Sequence, residues 1–177
     1  MKLNIVIAAL RAMPNALNER LVGLSDAQLR FQPSGGYFSV LENICHLRDI
    51  EIEGYSVRLQ RLLSEEHPRL PDINGGQLAR ERHYNQQPLQ PAVDAFIQAR
   101  HANLKLLEKL TATQLAHTGY LELIGEITLG RLLELWVEHD QGHIRELEKL
   151  RAAIRESHLT EAGTFPVSRQ SLRQASP

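Results

Sequence analysis

Four long stretches of this 177-residue chain place apolar residues three or four positions apart, and that spacing leaves few folds open. The first runs from about Leu3 to Leu24, with Ile7, Leu10, Leu17, Leu21 and Leu24 roughly in phase. The second starts at Ser39 and ends near Ser64, with Val40, Ile44, Leu47, Ile50 and Val57 on its buried side. The third, Pro91 to Leu110, turns Val93, Phe96, Ile97, Leu104 and Leu107 inward. The fourth, from Thr128 to about Ile154, does the same with Leu129, Leu132, Leu133, Trp136, Leu147, Leu150 and Ile154. A helix returns to one face about every 3.6 residues, so each stretch carries an apolar stripe that a neighbour must cover. Four such helices and no convincing set of strands predict an all-α four-helix bundle.

Local signals support these limits. Ser39 followed by Glu42 has the spacing of a capping box, Ser25-Asp26-Ala27-Gln28 reads as a cap and a short helical turn, and Thr128 caps the fourth helix. Pro14 should kink the first helix, because it removes an amide donor and crowds the preceding turn. The connection from His67 to Pro91 carries prolines and Asn74-Gly75-Gly76, with one short helix around Gln77 to His83. Tyr120 to Leu123 has a briefly extended character. Residues 1–154 read as one domain. Beyond Arg155 the sequence turns to Ser, Arg and Gln, and 155–177 reads as a polar tail, disordered or an arm that orders against a partner.

Several function classes fall away. A net charge of -1 offers no cationic surplus for nucleic acid, and no apolar run is long enough to span a bilayer. The start, Met1 to Leu10, resembles a signal peptide in charge and apolarity, but Arg11 interrupts it and the helical pattern continues. One cysteine excludes an internal disulfide and fits a cytoplasmic protein. There is no nucleotide loop, nucleophile elbow or catalytic carboxylate pair.

The chemistry-bearing residues are histidines. His139 and His143 are four residues apart on the buried stripe of the fourth helix, so both rings leave one face. His46 flanks the stripe of the second helix. Three neutral imidazoles from two packed helices suit a divalent metal and leave coordination positions open. The plain alternative is a set of ordinary histidines satisfied by hydrogen bonds. Ligand rings need partners for their second nitrogens, and Glu42, Glu138 and Asp140 are the candidates for that role. In a bundle, such a group is expected near one end of the core. Position 140 is Asp and no HExxH is present, which argues against a zincin protease.

Other residues are expected to do less. Cys45 is rotated about 100° from His46 and reads as a buried structural thiol. His101 reads as a hydrogen-bonded residue at the core edge, and His67, His83, His117 and His158 as solvated. Glu51 and Glu53 default to exposed carboxylates, and Arg58 and Arg61 to surface or interface charges.

Two segments resemble the DinB-like superfamily. Ser39-Val40-Leu41-Glu42-Asn43-Ile44-Cys45-His46-Leu47-Arg48-Asp49 is similar to its histidine-bearing second helix. Leu132 to Leu147, with Trp136-Val137-Glu138-His139-Asp140-Gln141-Gly142-His143, is similar to its closing HxxxH helix, and Gly125 to Leu129 fits the usual lead-in. The resemblance covers about residues 1–154. It implies an up-down-down-up bundle, a divalent metal (zinc or nickel) on His46, His139 and His143, and a homodimer. Relatives of that kind include thiol S-transferases using bacillithiol or mycothiol, so a low-molecular-weight thiol is a possible co-substrate. A metal-dependent enzyme acting on a small molecule, as transferase or hydrolase, is the function so implied; no general base can be named. A non-catalytic dimeric bundle that binds a metal or ligand, or serves stress response, is the alternative.

Overall fold

The computed structural model describes residues 2–33 and 36–162, with side chains as far as residue 157. Helix α1 (Leu3–Leu21) runs on through Pro14. A single capped turn, α2 (Asp26–Leu29), leads to the second rod, which is three elements in series: α3 (Val40–Asp49), a π-helical stretch (Ile50–Tyr55) and α4 (Ser56–Ser64). After strand β1 (Arg69–Leu70) come α5 (Gly75–Glu81), a 3-10 turn (Tyr84–Gln86) and the third rod, α6 (Leu89–Leu107). The short α7 (Ala112–Leu115) precedes strands β2 (Thr118–Leu121) and β3 (Gly125–Thr128), and α8 (Leu129–Ala162) closes the bundle.

The capping predictions are met. Ser39 and Glu42 form a reciprocal box, as do Ser25 and Gln28, and Thr128 Oγ1 accepts from the Arg131 amide. The last helix extends eight residues past the expected end at Ile154, and residues 163–177 of the expected tail lie outside the described residues. The extended character near Tyr120 belongs to a small sheet in the order β1-β2-β3, with β1 parallel and β3 antiparallel to β2. Gly119 lets β2 lie against Leu62 and the Pro68 carbonyl, where a Cβ would overlap both. The sheet adds Leu70, Leu121 and Ile127 to the core and leaves the bundle helical in class.

Helix directions follow from two apolar clusters. One gathers Val6 and Leu10, then Leu59 and Leu62, Leu104 and Leu107, and Leu129 and Leu132. The other gathers Met13 and Leu17, then Val40 and Ile44, Val93 and Phe96, and Leu147 and Ile154. The early part of α1 therefore meets the late parts of the second and third rods and the early part of α8. If α1 points up, the next two rods point down and α8 points up. Two successive parallel rods need a return path along the whole bundle, which is why residues 65–88 form the longest described connection. Each fully buried leucine in these clusters contributes roughly 1.5–3 kcal/mol. No described helix is long and apolar enough to cross a membrane.

Candidate metal centre

The two apolar clusters do not merge at mid-height. Between them the second rod carries His46 and Glu51, the third carries Arg100, and α8 carries His139, Asp140 and His143. The histidines meet at this waist rather than near one end of the core, because polar side chains from three rods break the apolar stripe at one level.

The second rod delivers His46 from the last turn of α3, and α8 delivers His139 and His143 one turn apart. All three Nε2 atoms converge. His139 Nε2 stands 3.2 Å from His46 Nε2 and 3.2 Å from His143 Nε2. Among the described residues this is the one group of three or more His, Cys, Asp or Glu side chains whose ligand atoms draw together, all within 4.8 Å. Ligand bonds of about 2.0–2.1 Å at octahedral to tetrahedral angles set neighbouring nitrogens about 2.9–3.4 Å apart. Both spacings to His139 fall inside that interval, and the His46–His143 pair closes the triangle within 4.8 Å.

Proton placement tells the same story. The Asn43 amide nitrogen donates to the Ser39 carbonyl at 3.0 Å, so its oxygen faces His143 Nδ1 at 2.7 Å. The ring proton of neutral His143 is then on Nδ1, shared with Glu146 Oε2 at 3.2 Å, and Nε2 presents a bare lone pair. His46 Nδ1 and His139 Nδ1 are buried without a hydrogen-bond partner. Burial, and then the neighbouring imidazoles, push the His46 pKa down to about 3, and burial lowers that of His139. One shared proton cannot satisfy three facing nitrogens of neutral rings. A cation at their meeting point can, so the residues fit a divalent metal.

The rings are seated tightly. A Cβ on Gly75, at the start of α5, would overlap Cε1 and Nδ1 of His46, so the backbone itself walls that ring. Phe38 packs against His46 with centroids 5.6 Å apart. Tyr55 meets His139 edge-on at 5.7 Å and stacks on Trp136 at 4.5 Å with planes 4° apart.

Behind His139 lies a buried ionic group. Arg100 is fully buried and bridges Glu51 and Asp140. Burial alone would raise the Asp140 carboxyl, but the Arg100 guanidinium holds it below the usual range. Glu51 also accepts from Asn103 Nδ2 and Trp136 Nε1. The expectation of an exposed Glu51 is therefore corrected: four donors from three residues meet it, and it is 1% exposed.

The proposed partners of the histidine rings are placed unequally. Asp140 Oδ1 is 4.0 Å from His139 Nδ1, beyond hydrogen-bond reach. Glu42 is engaged by the Ser39 amide and Gln32, and Glu138 is exposed and paired with Arg131. Asn43 and Glu146, which sequence reasoning passed over, contact His143 instead. Arg58 is buried, donating to the Pro71 carbonyl beneath Tyr55, whereas Arg61 pairs with Glu65 at the surface. His101 is exposed rather than at the core edge, and Glu53 pairs with Arg82. His117 is half-buried against the Leu62 carbonyl, and the side chain of His158 lies outside the described residues. Cys45 is fully buried, and burial pushes its thiol up to about 11.

A cleft of about 520 Å³ reaches His143 from solvent. Tyr37, Phe38 and Leu150 line it with Asn43, Glu146 and Lys149.

Fold and site together define a helical-bundle protein with a three-histidine centre suited to a divalent metal. The family model of the DinB superfamily matches residues 9–147, and the chain belongs to that superfamily. It is similar to an inferred metal-dependent hydrolase of Oceanobacillus iheyensis, 25% identical over 139 residues and covering 78% of this chain and 79% of the relative. Another inferred metal-dependent hydrolase, from Geobacillus kaustophilus, is 26% identical over 147 residues, 82% of each chain. Among solved structures, YfiT from Bacillus subtilis, titled as an inferred metal-dependent hydrolase with an unusual four-helix bundle topology, superposes with a TM-score of 0.80. That match has 22% identity and covers 86% of this chain and 87% of YfiT, and it supports the fold.

Proposed function

We propose that this chain is a divalent-metal enzyme that hydrolyses a small molecule, with His46, His139 and His143 holding zinc or nickel. The observation that carries the reading is the convergence of three Nε2 atoms, two pairs of them 3.2 Å apart, beside a solvent-reaching cleft. A divalent ion there supplies Lewis acidity, acidifying a water or a thiol at neutral pH. The chain supplies the rest. Asn43 keeps the His143 proton on Nδ1, Gly75 leaves room for the His46 ring, and Phe38 and Leu150 offer an apolar wall to the substrate. The names of the curated relatives favour hydrolysis over transfer of a low-molecular-weight thiol, which uses the same Lewis acidity. A cytoplasmic setting and a homodimer belong to the same reading.

A non-catalytic binding bundle would close its metal with a fourth protein ligand. Among the described residues the converging set has three, and the cleft touches one of them, which favours an enzyme. The test is an assay of metal-stripped protein, with and without added zinc or nickel, on esters, amides and thiol–electrophile pairs. Metal-dependent hydrolysis that disappears in His139→Ala is expected. Turnover only with the thiol pairs would replace hydrolysis by S-transfer, and no metal-dependent turnover anywhere would remove the enzyme reading.

A further inference from the structure

Arg100 gives no atom to the histidine cluster, yet all five of its guanidinium N–H groups are engaged by elements that surround it. Nε donates to Glu51 Oε1 at 2.9 Å, and Nη2 to Glu51 Oε2 at 2.9 Å and Asp140 Oδ1 at 3.1 Å. Nη1 donates to Asp140 Oδ2 at 2.6 Å and to the Leu10 carbonyl at 2.9 Å. One side chain from α6, a rod without a ligand histidine, thus ties together α1, the π-helical stretch and α8. The π-helical stretch matters here. Its wide turn, with the Ser56 amide and hydroxyl both directed at the Glu51 carbonyl, lies where the Glu51 carboxylate meets Arg100.

We propose that Arg100 is the positioning residue of the metal centre. It fixes the second rod against α8 and thereby sets where the His139 ring stands relative to the other two. The inference rests on the three-histidine metal reading. Its main support is an asymmetry within the cluster. His139 supplies the central nitrogen, 3.2 Å from each neighbour, but its own Nδ1 has no hydrogen-bond partner. Its orientation must therefore come from packing and helix register. Two routes lead from its surroundings to Arg100. Asp140 follows it in sequence and is gripped in a fork. Tyr55 packs against its edge, stacks on Trp136, and Trp136 donates to Glu51, which Arg100 also grips. His46 is tied in through the same rod, five residues before Glu51.

A buried ion group of this kind adds little to folding beyond what well-packed apolar residues would give, because desolvation offsets its Coulomb attraction. What it does supply is geometry: a planar fork accepts two carboxylates only at fixed positions and angles. Lysine keeps the charge and loses the fork, so Arg100→Lys separates positioning from electrostatics.

The test uses the untagged full chain, wild type and Arg100→Lys, stripped of metal and titrated with zinc alone, with cobalt(II) absorption as a second readout. Circular dichroism and Tm establish folding. We expect folded Arg100→Lys to bind zinc roughly 10–100-fold more weakly, the usual effect of disturbing groups behind a metal ligand, with an altered cobalt d–d spectrum. A merely structural role would lower Tm and leave zinc affinity and the cobalt spectrum of the folded protein unchanged, and that result overturns the inference. Should Arg100→Lys fail to fold, Glu51→Gln removes one side of the fork at constant size and carries the same two outcomes. Failure of the wild type to bind zinc at the histidines would instead remove the metal reading, and this inference with it.

Discussion

His139 and His143 stand one turn apart on the same helix, and their rings are held by opposite means. His143 faces the cleft and is oriented directly, by a 2.7 Å contact to Asn43 and a 3.2 Å contact to the half-exposed Glu146. His139, whose side chain is 24% exposed against 11% for His143, has no hydrogen-bond partner for Nδ1 and is located by the stacked Tyr55–Trp136 pair and the ionic group beyond it. The cleft-side ring depends on local hydrogen bonds. The His139 ring depends on the assembly of the whole bundle. Perturbations on the two sides should therefore divide: at the cleft metal affinity falls with little loss of stability, whereas beside His139 stability and affinity fall together.

The largest effect is expected from Trp136→Ala. Removing this fully buried ring from the stack should destabilise the fold by about 3–5 kcal/mol, read from denaturant unfolding. A loss below about 1 kcal/mol would mean that the His139 side is not anchored by packing. Asn43→Ala should act the other way round. Zinc affinity should fall roughly 10–100-fold while Tm changes less than in Trp136→Ala; a large Tm drop with unchanged affinity would erase the contrast between the two sides.

Acid should report on His46 in the metal-free protein. The His46 imidazole is pushed from an ordinary 6.5 to about 3. Between those values the unfolded chain takes a proton at this residue that the folded chain refuses, so stability rises with pH across the window. The contribution is complete above about pH 6.5 and is lost progressively as pH falls toward 3. His46→Ala should flatten the dependence of Tm on pH in that range, and an unchanged slope would show that another group controls it. The smallest effect belongs to Glu146→Gln. A half-exposed contact is worth at most about 1 kcal/mol, so zinc affinity should drop no more than about fivefold. A loss as great as that of Asn43→Ala would make Glu146 an equal partner in holding the ring.

The same contrast explains what could be read in the sequence. The bundle, its caps and the three histidines were legible because periodicity and short-range spacing encode them locally. Glu51 and Arg100 were not, since a charged residue taken alone defaults to the surface and its buried partners lie far away in the chain. Phase was the available signal. Arg100 falls four residues after Phe96 and four before Leu104, and Glu51 four after Leu47, each in line with a buried stripe. Asn43 and Gly75 carried no such mark; one sits three residues before His46, the other on a loop-like segment whose contact with His46 exists only in the fold. Of the three short strands only β2 left a trace, the extended character near Tyr120, because two to four residues give too little alternation to recognise.

The most direct measurement is the metal content of untagged protein by elemental analysis, compared with His139→Ala purified identically. One zinc or nickel ion per chain in the wild type, and none in the variant, is the expected result. A wild type free of metal, or a variant that retains the full complement, would contradict the claim that these three imidazoles share one ion.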